Sequence, residues 1–359
     1  MAETTVAPAQ RRERLVGFDL IRLISFWIIA CYHFVYAVWH DRLADYNATM
    51  STNFVYWRFV YPTLRSLSFS GHSVLFLTAM LLAMTRKSFR AQARFWCFLF
   101  IAWMTFVWAE GDFSRFLPYW DIHLLILTGL IIMMLAEHRP GWVTGLGLIG
   151  FVSTFFSFWT YSIFAALPLA LRHPLVGDCE FEVSSWPILP WLGFFFFGYA
   201  VGFILRASKW RQKFSTISKQ ELGAWIGVLM IASFNLGGFY KLQALEDWEC
   251  HAFRLPPLEF WAHFIFVMFC IRISLVTSVN RWLSTALPFL SKLNVSKNFF
   301  LAYALQYIFA FILAVKFGGI LRANPTLFMV TSVMMLPMAE ALAWTTAKLG
   351  ARRLIKGPD

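Results

Sequence analysis

Residues 17–39 read GFDLIRLISFWIIACYHFVYAVW. Asp19 and Arg22 are the only carboxylate and the only guanidinium in it, and both lie in its first two turns. A bilayer core about 30 Å thick needs roughly 20 apolar residues at 1.5 Å per residue, so the run is long enough to cross. The residues before it are polar and basic, and no short apolar stretch with a cleavage site precedes it. The run therefore reads as a membrane span and not as a cleavable leader.

Comparable runs follow at 67–85, 92–109, 118–137, 144–170, 187–206, 221–240, 257–278, 298–316 and 326–347. The stretch 52–69, with Trp57 and Pro62, reads as an interfacial entry to the second span. The fold class expected is all-α: a polytopic membrane protein, a bundle of about ten transmembrane helices. Residues 1–16 form an N-terminal tail, 17–347 a single transmembrane domain, and 348–359 a C-terminal tail.

Composition excludes the soluble alternative. Of 359 residues, 59% are hydrophobic and only 14% charged, against roughly 25% charged in soluble domains. The 40 Phe and 17 Trp suit spans and interfacial belts. The net charge of +12 would suit nucleic acid, but its distribution argues against that partner. Arg11, Arg12 and Arg14, then Arg86 to Arg94, Arg206 to Lys219, Arg281 to Lys297 and Lys348 to Lys356 fall in alternate connections. The other connections hold acids, among them Asp41, Asp45, Glu180, Glu182 and Glu246. Positive charge marks the cytoplasmic side, so both termini are expected in the cytoplasm of a cell with a multi-pass plasma membrane, a bacterial inner membrane. The basic side also suits contact with anionic lipid. Cys179 and Cys250 fall in acidic outer loops. An oxidising compartment permits a bridge there, and two free thiols is the other reading.

Ionisable groups inside a span are costly and mark functional candidates. Arg22 and His33 are eleven residues apart, about three turns, and share nearly one face of the first helix. Asp19, one turn earlier, can pair with Arg22. His72, His123 and His263 each lie within about two turns of the outer end of their spans. His33 sits at a similar depth, so His33, His72 and His123 are expected around one cavity; His263 fits an interfacial histidine. Clustered histidines would suit zinc, but no metal-ligand spacing supports it, and no metal is expected. Arg86, Arg90 and Arg94 form a basic cluster suited to phosphates, and Arg90 and Arg94 share a helix face. Arg272 and Glu340 are expected to pair with each other or with Arg22. Gln306, mid-span beside Tyr303, can donate hydrogen bonds into a cavity or serve as a structural amide.

The first span resembles the Asp-x-x-Arg and Arg-x₁₀-His pattern that opens membrane-bound acyltransferases, both the acyltransferase-3 and the heparan-α-glucosaminide N-acetyltransferase-like families. Val74 to Leu82 resembles the second-span block, and Arg86 to Arg94 the basic segment after it. Trp120 to Gly129 and Trp186 to Gly198 resemble later blocks of the glucosaminide type. Asn294 to Gln306 resembles the late Ser-x-x-x-Tyr-x-x-His element. Leu23 stands where the families have glycine, Thr78-Ala79 where they have Ser-Gly, and Gln306 where they have histidine.

The resemblance implies transfer of an acyl group, usually acetyl, from cytoplasmic acyl-CoA to a glycan across the membrane. It implies that Arg22, Asp19, Arg86, Arg90 and Arg94 hold the nucleotide and pyrophosphate. His33 would be the base, with His123 or His72 polarising the thioester or acting as a second base. Two other readings use the same residues. One is a small-molecule transporter or exporter, although no internal repeat supports it. The other is a non-catalytic, acyltransferase-like scaffold.

Overall fold

The computed structural model describes residues 15–39, 70–85, 122–155, 188–237, 257–293 and 299–348, with short pieces at 93–98, 100–101, 104, 163–164 and 166–176. All regular structure among them is helical. In chain order the helices are α1 (Val16–Trp39), α2 (Ser70–Thr85), α3 (Ile122–Ala136), α4 (Pro140–Phe155), α5 (Leu169–Val176), α6 (Ile188–Arg206) and α7 (Ser208–Phe214). They continue with α8 (Lys219–Gly237), α9 (Pro257–Ser274), α10 (Thr277–Ala286), α11 (Phe299–Ala323) and α12 (Pro325–Lys348), a 3₁₀ turn at Pro288–Ser291 preceding α11.

Local chemistry fixes several boundaries. Proline opens α4 and α12, where its missing N–H costs nothing. Asn324 caps α12 through Oδ1, which accepts from the Leu327 amide at 3.0 Å. Ser218 caps α8 by accepting from the Glu221 amide at 3.0 Å. Leu189, held extended by the following Pro190, breaks the first turn of α6. Pro337 lies inside α12, which a helix can tolerate when neighbours satisfy the released carbonyl.

Three helices are long and apolar enough to cross a membrane: Val16–Trp39, Leu305–Ala323 and Pro325–Thr345. Two bent pairs pass the same test. Trp191–Arg206 turns by 99° into Ser208–Phe214, and Phe264–Ser274 turns by 87° into Thr277–Ala286. The described residues thus hold three to five candidate spans, fewer than the ten expected. Val74–Thr85 and Ile122–Ala136 are apolar but shorter, and most of the run at 92–109 lies outside the described residues. The run at 144–170 is not one helix: residues 166–168 are not helical, and α5 begins at Leu169. Large apolar side chains cover the outside, with Val315 78%, Leu135 67% and Ile231 66% exposed. So much outward apolar surface suits lipid as the surrounding solvent.

Where lipid surrounds the helices, their association rests on close packing and polar contacts. Helix α6 is the spine of one half. Gly198 lies against the Phe76 backbone and Gly202 against the Met80 backbone of α2. Gly150 of α4 faces Gly193 of α6, and Gly147 faces Ala200. Gly198-Tyr-Ala-Val-Gly202 is a small-xxx-small pattern that lets two backbones approach. Glu137 pins α6 to the end of α3, accepting from Tyr199 Oη at 2.9 Å and Arg206 Nη1 at 3.1 Å.

Helix α1 is the spine of the other half. Its first amide, on Val16, donates to Asn280 Oδ1 at 2.7 Å. Cys31 Sγ donates to the Ser332 carbonyl at 3.1 Å, and Trp27 Nε1 to Val333 O at 3.2 Å. Arg322 Nη1 donates to Val38 O at 2.9 Å, near the C-terminal end of α1. Phe34 stacks on Phe328 at 5.4 Å.

The two elbows meet through Arg272. Its Nε donates to Glu221 Oε1 at 2.7 Å and its Nη2 to Oε2 at 3.0 Å. Nη1 and Nη2 also donate to the Phe214 and Thr216 carbonyls at 2.8 and 2.6 Å. The Thr277 amide donates to Ser215 O at 2.9 Å. Arg272 therefore pairs with neither Glu340 nor Arg22, as the sequence suggested it would. The bend after α6 brings the start of α8 beside the end of α9, and the planar guanidinium finds a carboxylate and two carbonyls in one place.

Candidate active site

The depth of His33 follows from its place on α1. It lies well inside the helix, six residues before Trp39, beyond the reach of a snorkelling side chain. Its ring is half-buried and turned towards α11. Gln306 Nε2 lies 2.6 Å from His33 Nδ1. Tyr307 meets the imidazole edge-on at 4.9 Å between centroids, and Tyr303 does so at 5.4 Å. Tyr303, Gln306 and Tyr307 stand at i, i+3 and i+4 of α11, so one face presents all three. All three are buried, Gln306 completely.

Tyr303 also reaches the second imidazole. His123, buried near the start of α3, meets its ring at 5.5 Å in an edge-to-face contact. Two of the expected histidines thus converge on one tyrosine, from α1 and α3. His72 lies in the first turn of α2 and His263 in α9, but their side chains are outside the described residues. Among the described residues, no three His, Cys, Asp or Glu side chains gather as metal ligands do.

At the other end of the same helix, Asp19 Oδ1 lies 4.0 Å from Arg22 Nη1. Asp19 is buried and Arg22 half-buried. Arg22 and His33 are separated by about 16 Å along the axis of α1. Of the basic cluster, Arg94 is exposed on the helical piece 93–98, while Arg86 and Arg90 lie outside the described residues, as do Cys179 and Cys250. The two departures in α2 are both core positions: Thr78 is buried and Ala79 fully so.

The arrangement puts a titratable imidazole among aromatic rings, with an amide against one nitrogen. Such a site can move a proton to or from a reacting hydroxyl or amine. A guanidinium–carboxylate pair lies three turns away on the same helix. Tyr307 was not singled out from the sequence. Its signal was the i, i+4 spacing from Tyr303, which places it beside the same imidazole. Gln306 reads from the sequence as a mid-span amide, and its contact with His33 depends on the crossing of α1 and α11.

No family model, no curated protein and no solved structure matches this chain.

Proposed function

We propose that the chain is an integral-membrane acyltransferase, taking an acyl group from cytoplasmic acyl-CoA and delivering it to a hydroxyl or amine of a glycan beyond the membrane. Acetyl is the first choice of acyl group. The observation that carries the reading is the half-buried His33, held by Gln306 and flanked by Tyr303 and Tyr307 deep in α1. Arg22, three turns away on the same helix, is suited to a phosphate of the CoA moiety. The first-span pattern and the ordered blocks after it support the same class.

The chemistry balances without a metal. The acceptor O–H gives its proton to the imidazole as its oxygen attacks the thioester carbonyl. The tetrahedral intermediate then breaks its C–S bond, and the imidazolium returns the proton to the CoA thiolate. His123 is placed near enough to the same tyrosine to serve as a second polar group. The basic elbows α7 and α10 lie on the cytoplasmic face in this reading, with both termini on the same side of the plasma membrane.

Purified protein incubated with acetyl-CoA and a glycan acceptor tests the proposal. Release of free CoA thiol by wild-type protein, and none above background by His33→Ala, is the expected result. Equal rates from both proteins would sink it. A carrier is the second reading, favoured by the two near-right-angle breaks, since broken helices line substrate sites in transporters. The segments beyond the breaks are short and basic, however, which suits the interface better. A carrier would bind or move the solute and leave the thioester whole.

A further inference from the structure

Helices α6 and α9 each end in a near-right-angle break, of 99° into α7 and 87° into α10. Both breaks lie at one end of the bundle. The Thr277 amide, at the start of α10, donates to the Ser215 carbonyl just after α7 at 2.9 Å. Arg272, near the end of α9, donates to the Phe214 carbonyl at the end of α7 at 2.8 Å. Where α6 and α9 cross a bilayer, helices at right angles to them lie along its surface.

The shelf that α7 and α10 make is basic. Residues 206–219 hold Arg206, Lys209, Arg211, Lys213 and Lys219 and no acid, and residues 275–293 hold Arg281 and Lys292 and no acid. Glu137 takes up Arg206, and Arg272 takes up Glu221, the next acid after α7. Lys209, Lys213 and Arg281 are exposed, and among the described residues none of the three has a carboxylate within ion-pair distance. Arg211 makes a long contact from Nη2 to the Arg206 carbonyl at 3.4 Å, and its Nε has no hydrogen-bond partner among the described residues. Exposed aromatic rings accompany these charges. Trp282 on α10 is 66% exposed and Phe289 on the 3₁₀ turn 50%, although Leu283 and Leu290 beside them are buried with Val16. Trp210 of α7 stacks on Phe214 at 6.2 Å and carries the Lys213 ammonium over its ring at 5.1 Å.

We propose that α7 and α10 form an in-plane shelf that binds anionic phospholipid, with Lys209, Lys213 and Arg281 on the headgroups and Trp282 and Phe289 seated at the acyl boundary. Indole at headgroup level beside cations that reach phosphate is the composition of a membrane–water interface. The charge selects anionic over zwitterionic lipid. Arg272 ties the two elbows together, so the cations of both helices act as one surface. The proposal needs α6 and α9 to cross the membrane and is independent of the acyl-transfer reading.

The test uses full-length protein in phosphatidylcholine nanodiscs with a trace of spin-labelled phosphatidylglycerol or spin-labelled phosphatidylcholine. Wild type is expected to immobilise the anionic probe about threefold more than the zwitterionic one, and added salt should shrink that preference. The shelf variant Lys209→Gln, Lys213→Gln, Arg281→Gln is expected to lose about half of the preference or more. The variant Arg11→Gln, Arg12→Gln, Arg14→Gln removes the same charge elsewhere and is expected to keep most of it. Equal immobilisation of the two probes by wild type overturns the proposal, as does an unchanged preference in the shelf variant or an equal loss in the other. Displacement of the anionic probe by inorganic phosphate at matched ionic strength also overturns it, by assigning the cations to a free phosphate. A fluorine-labelled tryptophan at position 282, its signal identified by loss in Trp282→Phe, reports depth. Broadening by nitroxide-labelled lipid is expected, and broadening by a water-soluble paramagnetic chelate alone would give the shelf to a soluble partner. If the shelf variant does not fold, the wild-type preference, the phosphate arm and the fluorine signal decide.

Discussion

At the scale of single residues, the site is a row of side chains on two helices. His33→Ala is expected to lower transfer by roughly 100- to 10,000-fold, the range for removal of a general base. Steady-state release of CoA thiol measures it. Arg22→Ala removes charge from a position three turns away, so it should raise KM for acyl-CoA with a smaller effect on kcat; kinetics across a range of acyl-CoA concentrations separates the two. The stripe of Asp19, Arg22 and His33 was legible because helical periodicity alone puts these residues on one side. Gln306 was legible as a mid-span amide able to reach a cavity, and as an amide where the resembling families carry histidine. Its partner depends on how α11 crosses α1, which no local pattern encodes. The same holds for Tyr307, one turn beyond Tyr303.

At the scale of helices, two devices hold the bundle. The first is the glycine face of α6. A Cβ at Gly198 would run into the Phe76 backbone and one at Gly202 into the Met80 backbone. Backbone cannot yield as a side chain can, so Gly198→Leu is expected to destabilise the α6–α2 pair by about 1–3 kcal/mol. Gly223, with open space around its own Cβ position, is the control. Thermal unfolding in detergent, followed by loss of monodisperse protein, compares the two. The second device is the Arg272 fork. Arg272→Ala strands Glu221 and leaves the Phe214 and Thr216 carbonyls without their donor. Arg272 is buried but Glu221 is 37% exposed, so the loss is that of charge-assisted hydrogen bonds, about 1–3 kcal/mol, and the same assay should show a lower midpoint than in wild type. Arg272 and Glu221 are 51 residues apart, and the sequence offered Glu340 as the carboxylate for Arg272. The elbow after α6 decided the pairing, and such an elbow is read from backbone direction and not from hydropathy.

At the scale of the whole molecule, the apolar runs foretold helices, but hydropathy fixed their length less well. Runs with a clean apolar core, such as 17–39 and 326–347, became helices of 24 residues each. The run at 144–170 is interrupted at 166–168, where Pro168 precedes α5 although the apolar character continues. The elbows were also hidden, since 187–206 and 257–278 read as simple spans and their perpendicular continuations read as ordinary basic connections. Orientation gives the prediction at this scale. A cysteine placed at Lys213 in α7 should react with a membrane-impermeant maleimide only after the cytoplasmic face is opened. One placed at Asn324, at the junction of α11 and α12, should react from outside. The reverse pattern would invert the topology and, with it, the side from which the proposed acyl-CoA donor would have to arrive.

The amide that opens α1 is satisfied by Asn280, 264 residues later in the chain. Gln306, the partner of its imidazole, arrives later still, 273 residues after His33. At a synthesis rate of 5–20 residues per second, the wait for Asn280 is roughly 13–53 s. During that interval the segment carrying Asp19, Arg22 and His33 has neither Asn280 nor the α11 face that meets its imidazole. Biogenesis is therefore back-loaded: α1 is a placeholder until α10 and α11 have been made. A ribosome stalled before Asn280 should leave a nascent chain whose first helix stays open to insertases and to quality-control proteases.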